Sequence, residues 1–201
     1  MATLAALLAD VYSLTNRPDL VAESTVAVKA ATLKAHQSDF YQRDIVTGSN
    51  VFANPSLNVQ SFSIAGLTRW RAWSYLQNYD PNVIPYQGSG SFVFDIIAPN
   101  DLIDQYQILK QNIAWQVGTQ LNLRCAAALA TLYYGYFRNQ DVTNAADMGW
   151  ISDSHPYAIV FEATRRVFKT IGYDEQASYY EKVVQEEYDN IRLSNVVVVG
   201  Q

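Results

Sequence analysis

The chain has 201 residues, 49% of them hydrophobic, which is enough apolar material for one large packed domain or two small ones and excludes wholesale disorder. Its 14 basic and 19 acidic side chains give a net charge of −5 with no long run of either sign, which argues against a protein that wraps nucleic-acid phosphates. The single cysteine, Cys125, excludes an internal disulfide, and its setting in LNLRCAAALA reads as a small buried thiol rather than a nucleophile.

The first apolar run, MATLAALLADVY, has no basic residue before it and is interrupted by Asp10, so it is read as a helix and not as a secretory signal. Leu4, Leu7, Leu8, Val11 and Leu14 fall on one side of that helix, over residues 3 to 14. The break at TNRPD starts a second helix, with Asn16 as its cap and Pro18 in its first turn. Val21, Thr25, Val28, Thr32 and Ala35 form its inner face, and the small side chains there predict close helix packing. His36 falls in the last turn, where an imidazole meets the carbonyl end of the helix dipole.

From residue 39 the texture changes to short aromatic and β-branched runs between turn residues. NVQSFSI, RWRAWSYLQ and SFVFDII predict strands, and YDPNVIPYQGSGS predicts a loop between the last two. APNDLIDQY predicts a short helical turn capped by Asn100. NIAWQV and QLNLRCA flank GT, a hairpin signal. ALATLYYGYF reads as a strand or as a helix start.

The segment from Trp150 to Leu193 reads as two helices folded back on one another. Pro156 suits a first turn, and Ile159, Val160, Ala163, Val167, Phe168 and Ile171 give one buried face, with Gly172 ending the helix. Asp174 caps the next helix, which places Ala177, Tyr180, Val184, Tyr188 and Ile191 inward. The terminus SNVVVVGQ has strand propensity, so Val196, Val197, Val198 and Val199 are expected to pair as an extended tail with a sheet edge of this chain or of a neighbour. The expected class is α+β: a helical bundle from residues 1–38 and 150–194, an inserted antiparallel β-rich module over 39–149, and an extended tail over 195–201.

Chemistry is sparse. His36, His155 and Cys125 have no ligand spacing, so neither a metal nor another cofactor is expected. GSG at 88–90 lacks the lysine or helix of a phosphate cradle. Asp153, Ser154 and His155 are adjacent and do not converge as a triad. Asp101 and Asp104, one helical turn apart, read as capping residues before they read as an acid–base pair. Trp70, Trp73 and Trp115, with Tyr75, Tyr133, Tyr134 and Tyr136, read first as sheet packing and interface anchors and second as a stacking surface for sugars or bases.

The order and wording of these segments carry a resemblance. VYSLTNRPDLVAESTVAVKAATLKAHQSDFYQRD, then YLQNYD, LYYGYFRNQDV and GWISDSHPYAIVFEATRRVFKTIGYDEQASYY resemble the head-to-tail adaptor (connector) proteins of tailed bacteriophages, of the short-tailed phage type and the related gatekeeper or tubular protein A group. The resemblance spans nearly the whole chain and rests on the succession of elements, not on a short invariant motif. It implies a non-enzymatic virion protein, assembled in the host cytoplasm and placed at the head–tail junction. Such a protein forms a ring, usually of twelve copies, between the portal protein and the tail or nozzle protein, extends the DNA channel and offers the surface on which the tail docks. DNA passes through without sequence-specific binding, and no membrane is involved. Under this expectation Glu186, Glu187 and Asp189 line the lumen and repel DNA, and the valine tail holds the portal or a neighbouring subunit. A tail-tube or nozzle component is the nearer alternative. A carbohydrate-binding or hydrolytic tail protein, using Trp70, Trp73 and Trp115 with Asp95, Asp101 or Asp104, is the more distant one.

Overall fold

The computed structural model describes residues 2–53, 59–79, 92–103, 108–126, 128–144 and 146–199; the side chains of Val196–Val199 fall outside that description, as do most of the YDPNVIPYQGSGS segment and Asp104. The chain is α+β and divides into two compact units. Residues 1–44 and 139–201 make a helical unit, and residues 45–138 make a β unit inserted between its halves. Residues 39–44 and 139–149, read from the sequence as part of the β module, belong with the helices.

In the helical unit, α1 (Leu4–Thr15) begins where the Thr3 hydroxyl accepts the Ala6 amide at 3.3 Å. It ends at Asn16, which has a φ of 51° and caps its C-terminus. Asn16 therefore closes the first helix and does not open the second, because a short amide side chain tolerates the left-handed conformation that a helix end needs. The next helix, α2 (Val21–Gln37), starts three residues beyond Pro18. Its inner face holds Ser24, Ala27, Val28, Ala31, Thr32 and Ala35, while Val21 is exposed. The small residues won the buried positions because α2 lies close against a neighbouring helix, where a wider side chain would hold the two apart.

That neighbour is α4 (Pro156–Thr170), which follows the single-turn α3 (Trp150–Ser154) and packs against α1, α2 and α5. Pro156 stands in its first turn, and Gly172 at φ 79° turns the chain into α5 (Asp174–Val199). Ala177, Val184, Tyr188 and Ile191 of α5 are buried against the bundle, and Tyr180 is half-buried. A seam of rings runs along the α4–α5 contact: Tyr157 stacks on Phe161 at 5.4 Å, Phe161 meets Tyr180 at 5.8 Å, and Tyr180 stacks on Phe168 at 5.8 Å.

The valine run is a correction. Val196–Val199 continue α5 and form neither a strand nor an extended tail. Once 22 residues of helix have been nucleated, adding a valine costs only its modest propensity deficit of about 0.5 kcal/mol, which local β preference does not outweigh without a partner strand.

The β unit contains two sheets. One has the order β1 (Ile45–Val51), β7 (Thr131–Arg138), β3 (Trp70–Gln77), and is antiparallel throughout. The other has the order β2 (Val59–Ser63), β6 (Gln120–Arg124), β5 (Ile113–Val117), β4 (Asp95–Ile96), with β4 parallel to β5. Gly118, at φ 57°, makes the β5–β6 turn expected at GT. ALATLYYGYF resolves as the central strand β7, whereas SFVFDII contributes only the two-residue β4 and a bridge from Val93 to Gln77. Asn100 lies inside a one-turn 3-10 helix, Pro99–Asp101, whose capping position is Ala98. Ile64, Leu76, Phe94, Leu121, Leu123, Leu132, Tyr134 and Tyr136 share the core of this unit. Gly135 is required there: a Cβ at that position would sit 2.4 Å from the Tyr75 ring, in the stretch where β3 carries a register shift.

Candidate partner-binding surfaces

The most charged buried feature of the helical unit is Glu162, whose side chain is fully enclosed on α4. Its Oε1 accepts from Lys34 Nζ at 3.0 Å, Arg165 Nη2 at 3.0 Å and Arg166 Nε at 2.8 Å; its Oε2 accepts from Arg165 Nε at 2.9 Å. Burial pushes this carboxyl up, but hydrogen bonds from Arg165, Lys34 and Arg166 outweigh burial and hold it at about 2. Lys34 also lies over the ring of Tyr188, 5.6 Å from its centroid. Burial drives the Tyr188 phenol well above its usual range, and its hydroxyl has no hydrogen-bond partner among the described residues. The hub thus ties α2 to α4 beside α5. Sequence periodicity alone treats Glu162 as a solvated charge; the EATRR spacing, with cations three and four residues on, was the available signal.

Beyond this hub the α2–α4 surface opens into a groove of about 750 Å³ lined by Ala22, Glu23, Val26, Ala27, Ala30, Arg165, Arg166, Lys169 and Thr170. Its α2 wall is small and apolar apart from Glu23. Val26 is 68% exposed, and the α4 wall is cationic. On α5 the acidic residues do not share one face. Glu186 and Asp189 are exposed, whereas Glu187 points roughly 100° away from Glu186 and is half-buried. Asp189 accepts from Gln185 at 3.1 Å and from Arg192 at 3.0 Å. The outward stripe of α5 is therefore Glu175, Tyr179, Lys182 and Glu186, with Tyr179 65% exposed.

A second polar node stands where the chain leaves the helical unit. Nδ1 of His36 faces both Asp44 carboxylate oxygens at 3.0 and 3.1 Å, and Trp150 Nε1 donates to Asp44 Oδ1 at 2.9 Å. The Trp150 ring also meets Tyr41 edge-on at 5.3 Å and lies under the Arg43 guanidinium at 5.1 Å. His36 is buried and paired to a carboxylate, where the sequence placed it as a simple helix-end cation. The node fixes the last turn of α2 to α3 and to the turn at Gln42–Asp44 within the helical unit.

The tryptophans are held by their own neighbours. Trp70 and Trp73 contact each other at 5.8 Å, and Trp73 meets Tyr134 at 5.9 Å, Tyr136 at 6.5 Å and Phe62 at 6.5 Å. Trp73 Nε1 donates to Gln116 at 3.2 Å, and Trp115 is half-buried on β5 next to that glutamine. These contacts join the two sheets, and the Trp70 and Trp73 rings stand at 59° to one another. Asp95 and Asp101 are exposed, and Asp104 lies outside the described residues. Ser154, Asp153 and His155 form no relay: the described partner of His155 Nε2 is the Ser194 hydroxyl at 3.4 Å. Among the described residues no group of three or more His, Cys, Asp or Glu side chains gathers as a metal site would. No helix among them is long and apolar enough to cross a membrane.

No protein-family model matches the chain, and no curated protein matches it.

Proposed function

We propose that this chain is a non-enzymatic virion protein of a tailed bacteriophage, one subunit of a ring that sits between the portal and the tail, extends the DNA channel and offers the tail its docking surface. The observation that supports the reading most is the arrangement of the chain: both ends build one helical unit and the middle builds an inserted β unit, in the order of elements by which the sequence resembles connector proteins. A net charge of −5 suits a conduit that DNA must slide past without adhering. The β unit exposes Val51, Val59, Val93, Ile96, Ile103, Leu109 and Val117, apolar surface of the kind that neighbouring subunits cover. The twelvefold ring, the portal and the tail or nozzle protein enter through the resemblance.

Two of the residue sets assigned to function by that resemblance are adjusted under this proposal. The valine tail, being helical, reaches a partner as the end of α5 and not as an added strand. Of the acidic lumen set, Asp189 keeps an open face, while half-buried Glu187 is the least suited to meet DNA.

The test is particle assembly. Particles made without this chain should package DNA into heads that lack tails, and adding the purified protein should restore tail attachment. A chain absent from purified particles, or tails that attach equally well without it, would refute the proposal. Labelled protein imaged below the junction, along the tail, would transfer the reading to a nozzle or tube component.

A further inference from the structure

We infer that copies of this chain associate head to tail, the outward stripe of α5 from one copy lying in the α2–α4 groove of the next. The groove and the stripe complement one another group by group. The groove offers an apolar α2 wall, Ala22, Val26 and Ala30, facing a cationic α4 wall, Arg165, Arg166 and Lys169, with Glu23 as its one acid. The stripe offers an exposed aromatic, Tyr179, between acidic Glu175 and Glu186, with Lys182 as its one base. Tyr179 covers Val26, Lys182 meets Glu23, and the acids of the stripe meet Lys169 and the exposed part of Arg166, whose Nε stays on Glu162.

Ala22 to Ala30 covers about 12 Å of helix axis and the stripe from Glu175 to Glu186 about 16 Å, so Tyr179 and Lys182 fall within the groove and the two acids at its ends. The charge asymmetry is large for so short a stretch: from Asp174 to Asp189 the only base is Lys182, against Asp174, Glu175, Glu181, Glu186, Glu187 and Asp189. Lys169 is exposed and has no ion pair among the described residues, so it is available to a partner. Groove and stripe are different patches of one surface, so the contact is heterologous, the type that propagates from copy to copy and closes into a ring when the rotation permits. The contact itself does not depend on the connector reading; only its closure into a ring does. It moves Glu186 from a channel lining to a boundary between copies.

The experiment uses the full chain. Val26→Cys and Tyr179→Cys variants are prepared separately, mixed at high concentration and oxidised; native Cys125 is buried and does not compete. Both substituted positions are exposed, and circular dichroism confirms that each variant is folded. The mixture should yield about tenfold more linked dimer than either variant alone. Adding Lys169→Glu to the Val26→Cys variant should reduce that yield several-fold, and adding Glu175→Lys with Glu186→Lys to the Tyr179→Cys variant should restore it. A mixture no better than the single variants, a predominance of dimers linking two Val26→Cys copies, or indifference to Lys169→Glu would overturn the inference. A chain that forms this pair yet is absent from phage particles would refute the connector role and leave the contact standing.

Discussion

Replacing Glu162 by glutamine isolates the charge at the centre of the helical unit while keeping its shape. The native carboxylate accepts four hydrogen bonds from three cations, and a glutamine at the same place has one carbonyl oxygen and an amide that can only donate. Lys34 and Arg166 are partly exposed and can turn to water, but the Arg165 side chain is only 15% exposed and loses its partner where water is scarce. Breaking such a pair from one side costs about 3 to 5 kcal/mol, and the two half-exposed cations place the expected loss at the lower end. The carboxyl, held at about 2 against an ordinary 4.5, gives the same scale, about 3 kcal/mol. Urea denaturation followed by far-ultraviolet circular dichroism should therefore show the midpoint of Glu162→Gln lowered by roughly 1 to 2 M.

The pH dependence checks the cause. The folded carboxyl titrates below the unfolded one, so its contribution is complete above about pH 4.5 and is lost as pH falls toward 2. The stability gap between native protein and variant should close across that window. A gap under about 1 kcal/mol at neutral pH, or one that does not change between pH 5 and 2, would refute the hub as described.

Gly149→Ala should destabilise the helical unit by roughly 2 kcal/mol, because φ is 88° there and a Cβ would lie 2.8 Å from His36 Nε2 and from Gln140; thermal denaturation reads the loss. Tyr188→Phe should be neutral or stabilising by up to about 1 kcal/mol, since it removes a buried hydroxyl with no hydrogen-bond partner among the described residues and keeps the ring beneath Lys34; a clear loss on urea denaturation would reveal a partner for that hydroxyl. Burial holds the Cys125 thiol up at about 11, so iodoacetamide at pH 8 should label it only after denaturation; rapid labelling of folded protein would contradict its enclosure.

The helices were legible because their signals are local and periodic. The faces of α4 and α5, Pro156 at a first turn and Gly172 between the two helices all follow from spacing and backbone preference. Signals shared by two outcomes were less decisive. Asn16 can close one helix or open the next, and only the left-handed φ selects the first. The terminal valines have a genuine strand preference, but continuation of a helix already formed is a property of the preceding 22 residues, not of the valines. The Lys34–Glu162 and Trp150–Asp44 bonds join residues 128 and 106 positions apart, and no pattern within a window of one helix carries such a pairing. The same holds for the groove, which exists because α2 presents alanines opposite the Arg165–Lys169 turn of α4.

The insertion of Ile45–Arg138 between the two halves of the helical unit also fixes an order of events during synthesis. The α1–α2 segment is made before the strands, and α4, the helix it packs on, after them. Ala27, Ala31 and Ala35 of α2 then wait beside the Leu7 and Val11 face of α1, and their small side chains offer less surface for aggregation than leucines would at the same positions. The β unit, whose strands pair entirely among themselves, can complete its sheets during that interval. The β unit can therefore be complete before α4 reaches α1 and α2.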